Sequence, residues 1–134
     1  MSAASTQIYY QLLCAGTRDR LGGLHSPQLL IRSLDFAPIA DLQSAGNWAE
    51  AGAILNGEAK ALQAGGADLL VLATNTMHKL ADLMMEGVGV PFLHIADATS
   101  DAIVKAGFKR PGLMPRPLQW SRPFTPIDWL RRVW

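Results

Sequence analysis

Asp68-Leu-Leu-Val-Leu-Ala-Thr-Asn-Thr-Met-His-Lys79 changes character halfway along. Leu69 to Ala73 is a continuous apolar run without polar alternation, the pattern of a strand covered on both faces in a parallel sheet. It stops at Thr74-Asn75-Thr76, three small polar residues. A helical pattern follows, with Leu80, Leu83 and Met84 on one face and Gly87 as its stop. In open α/β sheets, ligands bind at the carboxyl ends of strands. A hydroxyl-amide-hydroxyl triplet there offers donors to an anionic substrate, and the N–H groups of a helix start would add more. The same residues also suit a simpler role, with Thr76 capping the helix and Asn75 shaping the turn.

Upstream, Asn47 opens a predicted helix to about Ala64, carrying Trp48, Ala51, Leu55, Ala59 and Leu62 as one apolar stripe. Trp48 reads as a packing anchor within it. Gly65-Gly66 ends this helix before the strand. Gln28 to Leu34, bounded by Pro27 and Asp35, has the composition of another strand. The segment 35–46 reads as a strand-to-helix loop with a short helical turn around Ile39 to Gln43. Gln43 would face the Thr74 turn if that loop leaves the strand's carboxyl end. Ser5 to Leu21 forms the first predicted helix, with Ser5 or Thr6 as cap, Cys14 buried inside it and Gly22-Gly23 as stop.

Downstream, 88–95 predicts a short strand beginning after Pro91 and containing His94, read as a hydrogen-bonded structural histidine. Asp97-Ala-Thr then starts a helix through Lys105. The alternation is that of an α/β fold, a three-layer parallel sheet with flanking helices. Both ends depart from it. The chain opens on a helix where a doubly wound sheet needs a strand. Beyond Arg110 lie five of the eight prolines and three of the four tryptophans, a density incompatible with helix interior or ladder.

The totals bound the function. The 134 residues are 49% hydrophobic and 17% charged, which describes one core-forming domain rather than a disordered chain. A net charge of +1 gives no long-range attraction to nucleic acid or membrane, and the tail arginines are too few and aperiodic to supply it. One cysteine precludes an internal disulfide and suits a reducing cytoplasm. His25, His78 and His94 lack metal-ligand spacing, so no metal site is expected. No glycine-rich phosphate loop supports a flavodoxin-like nucleotide binder.

Several stretches, in order, resemble the aspartate/glutamate racemase family, most closely its broad-specificity amino-acid racemase branch. They are Met1-Ser-Ala-Ala-Ser-Thr6, Arg20-Leu-Gly-Gly-Leu-His-Ser26, Val71-Leu-Ala-Thr-Asn-Thr-Met-His-Lys79 and Pro91-Phe-Leu-His-Ile-Ala-Asp-Ala-Thr99. The resemblance covers residues 1 to about 114. It implies a cofactor-independent isomerase of two similar α/β domains, with one acid/base residue from each on opposite faces of the substrate's α-carbon. Inversion requires that placement, because a lone base returns the proton to the face it left. Donors must also hold the carboxylate as charge develops. Carried onto this sequence, the first-domain acid/base is Thr74, where much of the family has cysteine. A hydroxyl is a far weaker acid than a thiol. Asn75 and Thr76 would hold the substrate carboxylate, with Met1 and Gln43 as further substrate contacts and Ser5 and Thr6 as the polar start of the first helix.

The family's opening strand and its entire second domain have no counterpart here, so the expectation is an N-terminal half of the racemase fold, incomplete at both ends. Residues 1–114 would be the α/β domain and 115–134 a Pro/Trp/Arg-rich tail foreign to it. Codons for Leu118–Arg122 can be chosen as TTA CAA TGG AGC AGG, which read one base out of phase give Thr-Met-Glu-Gln, a phrase like that of the family's continuation. A frameshift after about residue 114 is therefore expected, and the neighbouring DNA would show it. Two functional readings follow: an amino-acid racemase by descent with little or no activity alone, or a half-domain that binds a dicarboxylate weakly or only associates. The expected partner is a small amino acid, with neither nucleic acid nor membrane, and a homodimer would be one source of a second face.

Overall fold

The structure, a computed structural model, describes residues 3–112. Met1 and the predicted tail lie outside the described residues. The elements run α1 (Ala3–Leu21), α2 (Phe36–Ala45), α3 (Trp48–Ala64), β1 (Leu70–Val71), a 3₁₀ helix (Thr76–Leu80), α4 (Ala81–Met84), β2 (Phe92–Leu93) and α5 (Ile95–Lys105).

Helix α3 is the framework. Asn47 caps it: its Oδ1 accepts from Glu50 N, while its Nδ2 donates back to Glu50 Oε2 at 2.6 Å. Such reciprocal satisfaction fixes where the helix starts. Its stripe buries Ala51, Leu55 and Ala59 against Ile39 of α2, Leu70 of β1, and Met77, Leu80 and Met84 of the following helices. Met77, 1% exposed, is the largest fully buried side chain. At Gly52 the α4 residue Leu83 comes so close that a Cβ would lie 3.1 Å from Leu83 Cβ. The glycine therefore serves close helix approach. Gly66, at φ 93°, makes the left-handed exit into β1.

Strands β1 and β2 pair in parallel, Leu70 with Phe92 and Val71 with Leu93. The connection between them is held to α3 by side chains. Asn56 Nδ2 donates to the Met84 and Glu86 carbonyls, and Gln63 Oε1 accepts from Gly89 N. This is an α/β arrangement of parallel strands with flanking helices, as the apolar run after Asp68 implies.

Four local expectations are corrected. The segment 28–34 is irregular and joins no ladder among the described residues, with Leu29, Leu30 and Ile31 exposed. Apolar composition suits a strand, but a strand exists only when another segment accepts its hydrogen bonds. The segment is tethered instead by a bidentate pair, Arg32 Nε and Nη2 donating to the Glu58 carboxylate on α3. That contact lowers the Glu58 pKa and raises that of Arg32. The loop expected over 35–46 is largely α2, capped by Asp35, whose carboxylate accepts from Ala37 N. Ser5 and Thr6 lie inside α1, which starts at Ala3, so neither is its cap. Cys14 is half-buried rather than buried, because α1 has no fully buried residue.

Candidate active site

The chain turns sharply where β1 ends. Thr74 N donates to Leu72 O at 2.8 Å, which aims the next residues off the carboxyl end of the strand. His78 N then closes a turn on Asn75 O at 3.1 Å. The helix predicted here begins as five residues of 3₁₀ before α4 adds four of α-helix. A tight, short helix offers little aligned dipole, so an anion would depend on side chains rather than on the helix end.

Asn75, not Thr76, occupies the N-cap position, and its side chain makes no capping bond. Thr76 is therefore not the cap, whereas Asn75 does shape the turn, through its carbonyl. Asn75 is exposed, and Thr74 and Thr76 are half-buried. Thr74, Asn75 and Thr76 thus follow β1 by three to five residues, at the entry to the 3₁₀ helix. Lys79, further along the 3₁₀ helix, sits 3.3 Å over the Trp48 ring and pins it to the start of α3. Burial lowers its pKa. Trp48 therefore packs, as expected, and also holds a cation.

Behind the turn stand two buried histidines that the reading of the sequence left without a joint role, each 6% exposed. His94 is not within β2 but one residue beyond it, as the N-cap of α5. Its Nδ1 accepts from Ala96 N at 3.1 Å. Helix α5 consequently starts at Ile95, two residues ahead of the predicted Asp97. An acceptor at Nδ1 places the His94 proton on Nε2, which lies 3.4 Å from the His78 carbonyl. The structural role assigned to His94 holds, at a different position in the fold. The His78 ring meets His94 edge-on at 4.6 Å and Phe92 at 5.5 Å. Neither of its nitrogens makes a hydrogen bond. Burial, and next the neighbouring His94, push its pKa down to about 4. His78 is a neutral wedge under the turn.

Gln43 lies near the end of α2, half-buried, and no hydrogen bond joins its side chain to residues 74–76 among the described residues. Met1 falls outside those residues. An open cavity of about 620 Å³ runs along β1 and reaches Ala73, but Thr74, Asn75 and Thr76 are not among its walls. It is therefore distinct from the turn. Among the described residues no group of three or more His, Cys, Asp or Glu side chains converges, and no helix is long and apolar enough to cross a membrane.

A parallel α/β unit with a polar turn closing its leading strand defines a class of small-molecule sites at strand ends. The chain belongs to the Asp/Glu/Hydantoin racemase family, whose model matches residues 1–114. It is similar to a Yersinia pestis protein described as an Asp/Glu racemase, at 42% identity and a TM-score of 0.76. It is also similar to an aspartate racemase homologue of Pyrococcus horikoshii OT3, at 33% identity and a TM-score of 0.72. Each likeness covers 79% of this chain and 46% of the other. The chain thus aligns with about half the length of these relatives.

Proposed function

We propose that this chain supplies one face of a cofactor-independent amino-acid racemase site, acting on aspartate, glutamate or a related amino acid. Thr74 is the acid/base of that face, and Asn75 and Thr76 hold the α-carboxylate. One observation carries the reading: in a chain of the racemase family, Thr74-Asn75-Thr76 follows the parallel strand β1, and the Asn75 side chain makes no capping bond. Amide and hydroxyl donors stabilise a carboxylate as the α-carbon loses its proton. A threonine hydroxyl, with its high pKa, donates a proton more readily than it removes one. Met1 and Gln43 are proposed as peripheral substrate contacts, and a homodimer as a source of the opposite face.

A second reading has its own support. The chain aligns with 46% of the length of its relatives, and its single cysteine, Cys14, lies in α1 and not at the turn. On that basis the chain binds a dicarboxylic amino acid weakly and does not invert it. A reducing, cytoplasmic setting is proposed from its single cysteine.

Titrating the ¹⁵N-labelled chain with D- and L-aspartate tests both readings at the binding step. Saturable shifts confined to residues 74–80, abolished by Asn75→Ala, are expected. Shifts elsewhere, or none with either enantiomer of aspartate or glutamate, would remove the site from the turn.

A further inference from the structure

The 3₁₀ helix Thr76–Leu80 has three residues per turn, so its side chains fall into three columns, with positions three apart eclipsed. One column holds Met77 and Leu80, and a second holds His78; all three residues are buried. The third column holds Thr76 and Lys79, both half-buried. The column that opens outward therefore carries a hydroxyl at the start of the helix and an ammonium one turn later, about 6 Å along the axis.

That ammonium has no acidic partner. Its Nζ stands 3.3 Å from the centre of the Trp48 ring, and no carboxylate lies within ion-pair distance of it among the described residues. Glu50, in the first turn of α3 beside Trp48, is engaged by Asn47 instead, whose Nδ2 donates to it at 2.6 Å. Burial lowers the Lys79 pKa, and no neighbouring acid works against it. An aromatic face attracts a cation without accepting directed hydrogen bonds, so the Nζ donors stay available for a stronger acceptor. Lys79 is also the sole lysine or arginine between residues 68 and 80.

We propose that Lys79 is a specificity-determining residue of the turn, leaving the Trp48 ring to bind the side-chain carboxylate of a dicarboxylic amino acid. The inference rests on the reading above, in which Asn75 and Thr76 hold the α-carboxylate. Those two donors are neutral and serve any amino acid equally well. Lys79 adds the charge that separates aspartate and glutamate from asparagine and glutamine, which have nearly the same shape. Its flexible four-carbon stem covers the one turn back to Thr76. The exchange is favourable because a hydrogen bond between two ions is stronger than one to a neutral amide oxygen and than contact with a ring face.

The test titrates the ¹⁵N-labelled full chain with aspartate, glutamate, asparagine and glutamine. The Trp48 indole N–H signal, assigned with Trp48→Phe, reports whether the cation has left the ring. The two acids should move that signal together with the Thr76 amide and bind about tenfold more tightly than the two amides. Lys79→Met keeps an unbranched side chain against Trp48 but removes the charge, and the acid-over-amide ratio should fall to near one. Lys79→Arg should keep most of it. An acid preference that survives Lys79→Met overturns the role of Lys79 alone. So does an equal loss of acid and amide binding in a Lys79→Met chain whose spectrum stays dispersed, which would make the lysine a packing element. A Trp48 signal moved as far by asparagine as by aspartate also counts against it. Absence of shifts at 74–80 with all four amino acids overturns both this role and the placement of substrate at the turn.

Discussion

His94 Nε2 lies 3.4 Å from the main-chain carbonyl of His78, joining the residue after β2 to the 3₁₀ helix that follows β1. Because His94 Nδ1 is occupied by Ala96 N, one imidazole both starts α5 and ties the candidate turn to its neighbouring strand. Among the described residues the sheet is two strands wide and two residues deep, so this side-chain link carries part of what a broader ladder would share.

Replacing His94 should therefore cost more than an ordinary cap. His94→Ala is expected to lower unfolding stability by about 1–2 kcal/mol, from loss of both the cap and the bridge. His94→Asn should recover part of this, because asparagine caps well but is too short to reach His78 O. Urea denaturation of the three chains at pH 7 measures the difference.

His78 predicts an acid sensitivity. Its folded pKa of about 4 is below the ordinary histidine value of 6.5. Between those values the unfolded chain binds more protons than the folded one, so stability rises with pH through that window and is lost as pH falls. Above 6.5 the group contributes no slope. The loss should approach, at most, about 1.4 kcal/mol per pH unit for this single proton. Denaturation midpoints at pH 7, 5.5 and 4.5 should fall for the natural chain and fall less for His78→Leu, which keeps the apolar contact with Phe92 but does not titrate.

Two contacts onto α3 give direct packing tests. Gly52→Ala places a methyl against Leu83 Cβ, and overpacking of this kind costs about 1–3 kcal/mol, offset by about 1 kcal/mol of helix propensity. A net loss is expected in thermal unfolding. Asn56→Ala removes the donor that both Met84 O and Glu86 O share, and should cost about 1–2 kcal/mol by the same measurement.

Much of this architecture is legible in the residues because it rests on local rules. The spacing of Ala51, Leu55 and Ala59 specifies the buried side of α3, and Asn47 marks its start. Leu69–Ala73 announces a parallel strand but not its cover: the strand is Leu70–Val71, Leu70 is buried, and Leu69 and Val71 are exposed among the described residues. The segment 28–34 misleads, since its composition answers to burial while its conformation depends on a partner that composition does not name. Ser5 and Thr6 mislead because hydroxyls are good caps but also tolerate helix interiors. The position of the candidate turn follows from the abrupt polarity change at Thr74. Its surroundings do not: imidazole is an uncommon cap, and nothing in the spacing of His78 and His94 shows that they meet edge-on beneath it. The Pro- and Trp-rich stretch from 115 onward, with its proposed change of reading frame, lies outside the described residues.

The central claim is that a single hydroxyl, Thr74, works on one face of the α-carbon. Incubating the full chain with L-aspartate or L-glutamate in deuterium oxide, and following both α-deuteration and optical rotation, addresses it directly. With the chain kept monomeric by dilution, no inversion is expected: any exchange keeps its configuration, disappears in Thr74→Ala and speeds up in Thr74→Cys, whose thiol is the stronger acid. Inversion by this chain at a rate unchanged by Thr74→Ala would contradict it.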